Sequence, residues 1–287
     1  MKKHLLFDNR VAVLATKHHK EKAIAPIVEQ ELGVKVIVPQ DFDTDRFGTF
    51  TRDVKRVGNQ IEAARVKAET ALSVTNETLA LASEGTFGPH PSNPFVPCNR
   101  EIVILLDKTN EIEIIGQAIS IETNFNHSII KNIQEAHEFA EKAGFPEHAL
   151  VVMVHPSPKN QEEIIKGINT TEQLVEAVTF ALKRSETGKI SIETDMRALY
   201  NPTRMTNIVR ATRDLINKIQ NTCPNCDFPG FDVFSRKIGL PCAYCHSPTE
   251  ITLAVTYKCQ KCGFLKDVMF PDGIQQADPS LCHYCNP

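Results

Sequence analysis

Four Cys-x-x-Cys pairs crowd the C-terminal end of this chain: Cys223/Cys226, Cys242/Cys245, Cys259/Cys262 and Cys282/Cys285. Each spacing lets one tight turn present two thiolates to the same tetrahedral ion. Two such turns complete a four-sulfur site, a donor set that suits zinc. Eight of the nine cysteines obey this pattern, which points to two structural Zn2+ ions. The spacing leaves the pairing open: first turn with second and third with fourth, or a cross-braced first with third and second with fourth. Disulfides in an exported protein would use the same residues. However, Asp8 and Arg10 interrupt the short apolar stretch after Met1-Lys2-Lys3, so no secretory signal is read there. Thiolate-bound zinc in a reducing cytoplasm is the expectation. Cys98 stands apart; as a nucleophile it would need a neighbouring base, and a buried structural thiol is the plainer reading.

Three polar clusters fall where α/β folds place their sites, at strand C-termini. Thr16-Lys17-His18-His19-Lys20 follows the apolar run Val11–Ala15 and precedes a helix, so its backbone amides and Lys20 would suit a phosphate or carboxylate. The alternative is an exposed basic turn with Thr16 as helix cap. Glu84, in Ser-Glu-Gly-Thr-Phe-Gly, follows a buried strand and would suit Mg2+, or else is a surface turn acid. In the third cluster, Glu193-Thr194-Asp195-Met196-Arg197 and Asn201-Pro202-Thr203-Arg204, Asp195 could join a metal site and Arg197 or Arg204 could clamp phosphate. An internal Asp–Arg ion pair accounts for the same residues. Arg65 and Lys67 lie two apart on one helix and point in different directions, so at most one faces a site. Asn99 and Arg100 could line the cleft of Glu84, whereas the adjacent His18 and His19 cannot readily serve one ion.

The elements that must position these groups read as strand (Val11–Ala15), helix to Leu32 ended by Gly33, strand (Val34–Val38) and a polar loop from Gln40 to Arg52. A helix from about Val57 to Leu72 and a strand at Leu79–Ala82 follow, then a proline-rich loop from Pro89 to Pro97. Two runs, 101–106 and 111–121, flank a hairpin turn at Asp107–Asn110. The remainder reads as helix (128–143), strand (149–154), helix (171–184), strand (189–193) and helix (203–220). This is an α/β domain with a mixed sheet over 1–220, containing a helix–strand–helix insertion over 126–188, followed by a zinc-ribbon-like module over 221–287.

From Val11 to Phe125, and again from Lys189 to Lys218, this order resembles the house-cleaning nucleoside triphosphate pyrophosphatases of the inosine/xanthosine triphosphatase superfamily. In that family an opening strand ends in a Thr/Ser turn with a lysine that meets the triphosphate. A helix rich in Ala, Arg and Lys follows, like Asn59 to Ala68 here, and then a strand ending in a Mg2+-binding acid, like Leu81-Ala82-Ser83-Glu84-Gly85. A hairpin similar to Glu113–Ala118 and a strand-turn-arginine similar to Ile192–Asp195 with Arg204 complete the likeness. The resemblance implies a Mg2+-dependent pyrophosphatase acting on a nucleotide-like small molecule, and a homodimer. Glu84, with Asp195 or Glu62, would hold the ion; Thr16, Lys20, Lys67, Arg100 and Arg204 would meet the phosphates. The chain departs from the family at Lys17 and His18, where an asparagine is usual, and at Met196, where a glycine is usual. The insertion and the zinc module depart as well. The combination also resembles an uncharacterised bacterial family that ends in such a module.

Composition narrows the competitors. A net charge of −3 gives no general attraction to nucleic acid, and no apolar run is long enough to span a membrane. From Cys223 onward five lysines and arginines face six acids, so the tail lacks the basic excess of a nucleic-acid ribbon, and an RNA- or DNA-processing role ranks third. A binding or adaptor protein that keeps the fold without the chemistry ranks second.

Overall fold

The opening strand β1 (Val11–Ala15) is apolar on both faces because it lies inside a sheet, parallel to β2 (Lys35–Ile37) on one side and β3 (Leu79–His90) on the other. Between β1 and β2 runs α1 (Glu21–Leu32), which stops at Gly33 in the left-handed conformation (φ 71°) that glycine adopts without a Cβ clash. The computed structural model describes residues 6–40, 42–43, 58–158 and 160–287, so most of the expected loop from Gln40 to Arg52 lies outside the described residues. The next helix, α2 (Gln60–Thr75), starts later than its apolar periodicity suggests. Asn59 accepts hydrogen bonds from the amides of Ile61 and Glu62, and Glu62 reaches back to the Asn59 amide, a reciprocal cap that fixes the first turn. Ala64, Ala68 and Ala71 let α2 lie close on Val13, Ala80, Ala82 and Ile104 of the sheet.

The main sheet has the order β2-β1-β3-β4-β5, with β4 (Asn93–Asp107) and β5 (Ile112–Ser120) antiparallel to their neighbours. Here the structure corrects the proline-rich loop: residues 89–97 belong to two long paired strands, β3 and β4, with Pro89 opposite Pro97. The prolines fit because β1 flanks β3 only over residues 79–82 and β5 flanks β4 only from Asn99 onward. Beyond those limits neither strand has a second neighbour among the described residues, so a missing N–H on that edge costs no ladder bond. Gly116 on β5 is held by packing, since a Cβ there would collide with the backbone of Ala211 and Leu215.

Residues 126–194 build a second, antiparallel sheet of order β6-β9-β7-β8, from β6 (His127–Ile130), β7 (Leu150–Met153), β8 (Ile164–Ile168) and β9 (Ile190–Thr194). Two helices, α3 (Ile133–Ala143) and α4 (Thr171–Arg184), bury Ala136, Phe139, Leu174 and Val178 against it. The expected helix from Ser128 is therefore split: its first residues are a strand, and Asn132 caps α3 by accepting from the Glu135 amide. The expected helix–strand–helix insertion also contains β8, which the sequence reading passed over. The last helix, α5, spans Pro202–Gln220.

The chain divides into two compact units, Met1–Ile216 and Asn217–Pro287. The second is built on a three-stranded antiparallel sheet of order β10-β11-β12, from β10 (Asp232–Ile238), β11 (Thr252–Lys258) and β12 (Leu265–Met269). The protein is thus mixed α/β with several sheets. Among the described residues no helix is long and apolar enough to cross a membrane.

Candidate functional site

At the C-terminal end of β1 the chain enters a buried ionic cluster. Thr16 is 4% exposed, and its Oγ1 finds no hydrogen-bond partner among the described residues. Lys20 stands at the N-cap of α1, also buried, and its Nζ donates to the carbonyl (3.2 Å) and the hydroxyl (3.1 Å) of Ser83 on β3. One residue further on β3, Glu84 is buried and held in a short ion pair by Lys67 of α2. Gln60, in the first turn of α2, donates to the carbonyls of Glu84 (2.8 Å) and Arg100 (2.9 Å) and so fixes the helix against both strands.

Glu101 on β4 and Arg204 in the first turn of α5 form the other half. Arg204 is 1% exposed and Glu101 is fully buried; their Nε–Oε1 distance is 2.8 Å. Asn99 donates to the same carboxylate at 2.9 Å, Asn207 donates to Asn99 at 2.9 Å, and the Met196 carbonyl accepts a second bond from Arg204. Gly85 is required between the halves, because a Cβ there would run into Glu101 Oε1 and Arg204 Nη2. Burial first, then the positive charge of Arg204, brings the Lys20 ammonium down to about 7; Lys67 adds to the effect, while Glu84 and Glu101 oppose it. Three cationic side chains therefore share this buried space with two carboxylates, beside an unsatisfied hydroxyl. A group that accepts hydrogen bonds and carries negative charge completes such a set.

The structure places Thr16 after β1, Lys20 at the start of α1, Lys67 on α2, Glu84 on β3 and Arg204 on α5, each of them buried. It places the other candidates elsewhere. Thr16 does not cap α1; Lys20 occupies that position, with no side-chain cap bond. Asp195 is engaged by Arg197 (Nη2–Oδ2 2.6 Å) and by the Gly167 amide (3.1 Å), the internal ion pair weighed as the alternative. Arg100 contributes its carbonyl to Gln60 and leaves its side chain exposed. Glu62 is committed to the helix cap and Arg65 to Glu113 at 2.6 Å. Cys98 is buried. Glu101 was missed, although a lone acid opening the otherwise apolar run Glu101-Ile102-Val103-Ile104-Leu105-Leu106 was a readable sign. A separate groove of about 310 Å³, walled by Ile165, Lys166, Gln173 and Phe180, contains none of these residues.

In the second unit the cysteines resolve into two clusters: Cys223, Cys226, Cys259 and Cys262, and Cys242, Cys245, Cys282 and Cys285. The pairing is cross-braced, first turn with third and second with fourth. Sulfur–sulfur distances of 3.7 Å for Cys223–Cys262 and Cys226–Cys259, and of 3.8 and 3.6 Å for Cys242–Cys285 and Cys245–Cys282, match the edge of about 3.8 Å in a tetrahedron of metal–sulfur bonds near 2.3 Å. The charge pattern also fits a cation. The Ser247 hydroxyl and amide bring the Cys245 thiol down to about 6. Cys245 itself, then burial, Cys242 and Cys282, push Cys285 up to about 12. Four adjacent thiolates cannot all ionise unless a positive ion compensates them. Each four-cysteine cluster could thus hold one structural metal ion.

Fold and sites together define a mixed α/β protein with a buried ionic cluster and an appended module of two four-cysteine clusters that could hold metal ions. The chain belongs to the family described as a domain of unknown function (DUF6671), which matches residues 67–287. The matched span takes in Lys67, Glu84, Glu101, Arg204 and all eight paired cysteines, and leaves Thr16 and Lys20 outside it. No curated protein matches the chain.

Proposed function

We propose that the ionic cluster binds a phosphate group of a nucleotide-like substrate and hydrolyses it, in a fold of the inosine/xanthosine triphosphatase type, and that the two cysteine centres hold structural zinc. The observation that carries the reading is the buried hydroxyl of Thr16, without a hydrogen-bond partner among the described residues, at the end of β1 that leads into buried Lys20. The succession β1-α1-β2-α2-β3, with Thr16 ending the first strand and Glu84 on the third, supports the fold assignment.

The cluster as it stands fits an anion rather than a bare divalent cation, because Glu84 faces Lys67 and Glu101 faces Arg204. Mg2+ enters this reading as a Mg2+–phosphate complex, with Glu84 as its candidate ligand, and would supply further neutralisation of the phosphate oxygens. The chain's own groups do the rest. Thr16 donates its hydroxyl to a phosphate oxygen, and Lys20 and Arg204 absorb the charge that shifts as water attacks phosphorus and the bond to the leaving oxygen breaks. Lys67 gives up part of its interaction with Glu84 to the ligand, which frees that carboxylate to accept a proton from the attacking water.

A release screen for phosphate and pyrophosphate over a nucleotide panel, with and without Mg2+, tests the hydrolase. Glu84→Gln is expected to lower turnover at least 100-fold while zinc content holds and the protein still folds, at a lower melting temperature because buried Lys67 loses its partner; the loss of one acid–base group is commonly worth a factor of about 10²–10⁴. Turnover retained in that variant removes Glu84 from the mechanism. A second reading, ligand binding without turnover, is favoured by the Glu84–Lys67 pair, which leaves the acid engaged before any ligand arrives. Silence across the panel from a protein that still binds pyrophosphate selects it.

A further inference from the structure

Lys20 and Lys67 are held by partners on β3, whereas Arg204 owes part of its aim to a loop outside the main sheet. An arginine carries many rotamers, and one that is 1% exposed keeps a single one only where its neighbours impose it. Its Nε meets Glu101 of β4 at 2.8 Å, but its Nη1 donates to the carbonyl of Met196 and its backbone amide donates to Oδ1 of Asn201 at 2.9 Å. Both acceptors belong to residues 195–201, which join β9 to α5 through a short 3-10 turn, Ala198–Tyr200.

That loop is fastened at each end. One residue closes it: the Asp195 amide donates to the Ala149 carbonyl at 2.8 Å, and the Ala149 amide donates to the Tyr200 carbonyl at 3.1 Å. The buried Asp195 carboxylate accepts from the Gly167 amide of β8 and from Arg197, whose guanidinium lies over the Tyr200 ring at 4.6 Å. The second sheet thus holds the loop that holds Arg204. Asn201, also 1% exposed, uses both sides of its amide. Because Oδ1 caps α5 by accepting from the Arg204 amide, Nδ2 faces the other way, toward Asn124 Oδ1 (2.9 Å), the Asp195 carbonyl (3.4 Å) and Met196 Sδ (3.5 Å). A serine or aspartate caps a helix as well as asparagine does, so capping alone does not call for an amide here. Donation on the far side does, and it falls on Asp195 and on Met196, whose carbonyl orients Arg204.

We propose that Asn201 is a positioning residue: by fixing Met196 and the start of α5 together, it aims the Arg204 guanidinium at the bound phosphate. This role rests on the cluster being the phosphate site proposed above. The test is calorimetric titration of inorganic pyrophosphate into the full-length, zinc-loaded chain and its Asn201→Ala and Asn201→Ser variants. The same titration is made on a Glu101→Leu/Arg204→Met protein with and without Asn201→Ser. Serine keeps an oxygen for the Arg204 amide and loses the donor, so its melting temperature should lie above that of Asn201→Ala. Affinity should not follow: both variants are expected to bind about ten-fold more weakly, the worth of roughly one hydrogen bond to a charged group. In the protein without Glu101 and Arg204, Asn201→Ser should change affinity by less than about two-fold, as expected of residues that act as a unit. If Asn201→Ser does not fold, Asn124→Ala takes its place; it removes the acceptor facing Nδ2, leaves the cap and should show the same dependence on Arg204. Wild-type affinity in the serine variant, or in Asn124→Ala where that replaces it, would show that the cap alone suffices. An equal loss without Arg204 would show that Asn201 does not act through it, and either result overturns the assignment. A wild-type protein that binds no pyrophosphate removes the phosphate reading itself, and this role with it.

Discussion

Stripping metal from the second unit should unfold it, and replacing cysteines two at a time should reveal how the centres are wired. The buried residues of this unit include one sulfur from each knuckle, Cys223, Cys242, Cys259 and Cys282, with few large apolar side chains beside Phe228, Phe231, Leu240 and Val255. So small a core does not fold on burial alone. Structural zinc contributes about 10–16 kcal/mol of apparent binding free energy in comparable modules, as much as or more than a whole domain's stability of about 5–15 kcal/mol. A strong chelator under reducing conditions is therefore expected to abolish amide protection across β10, β11 and β12, while the first unit, with its own apolar cores, keeps a cooperative transition. The wiring gives a sharper outcome. Cys223→Ser with Cys259→Ser removes ligands from one centre in the cross-braced arrangement, so bound zinc should fall from two ions to one per chain. Pairing in chain order would lose both ions in the same double variant, and elemental analysis distinguishes the two.

The second large effect concerns the Glu101–Arg204 pair. Both side chains are fully or almost fully buried, so removing one partner leaves a charge without water or counter-ion. Glu101→Gln or Arg204→Met alone should each destabilise the protein by about 3–5 kcal/mol. Glu101→Leu combined with Arg204→Met removes both charges and is expected to recover most of that loss, since apolar replacement of a buried pair is often neutral. That double variant should fold and yet bind pyrophosphate poorly, because one of the three cations is gone. Urea unfolding of the four proteins measures the coupling. Single variants that cost less than about 1 kcal/mol would show the pair to be hydrated, contrary to its burial.

Much of this architecture was readable from local chemistry. The apolar run at β1, the glycine that ends α1, the Asp107–Asn110 turn and the span of α4 all rest on interactions within a few residues. The errors came where distant context decides. Prolines at 89–97 signal a loop unless one knows that, among the described residues, neither strand has a second neighbour there. Residues 127–130 read as helix until β9 is seen to pair with them. In the ionic cluster, Thr16, Lys20, Glu84 and Arg204 could each be named from strand ends and helix starts, and Lys67 from its place within a helix. Two of the partnerships could not: that Lys67 meets Glu84 and Glu101 meets Arg204 follows from the packing of α2 and α5 on β3 and β4, whereas the local Asp195–Arg197 pair was among the alternatives the sequence offered. Spacing alone could not choose between chain-order and cross-braced pairing of the cysteines either.

Lys20 offers the most direct measurement on the central claim, that the cluster is a phosphate site. In the free protein its ammonium is lowered to about 7, so above that pH the side chain is largely neutral. A bound phosphate favours the charged form and raises the pKa, so binding must take up a proton above pH 7, and affinity must fall as pH rises. Calorimetric titration of inorganic pyrophosphate into the zinc-loaded protein at about pH 8, in two buffers of different ionisation enthalpy, reads that uptake. The expected result is saturable binding with uptake approaching one proton per site, and loss of the uptake in Lys20→Met. No binding by the folded protein, or binding with the same proton uptake in Lys20→Met, would contradict the account.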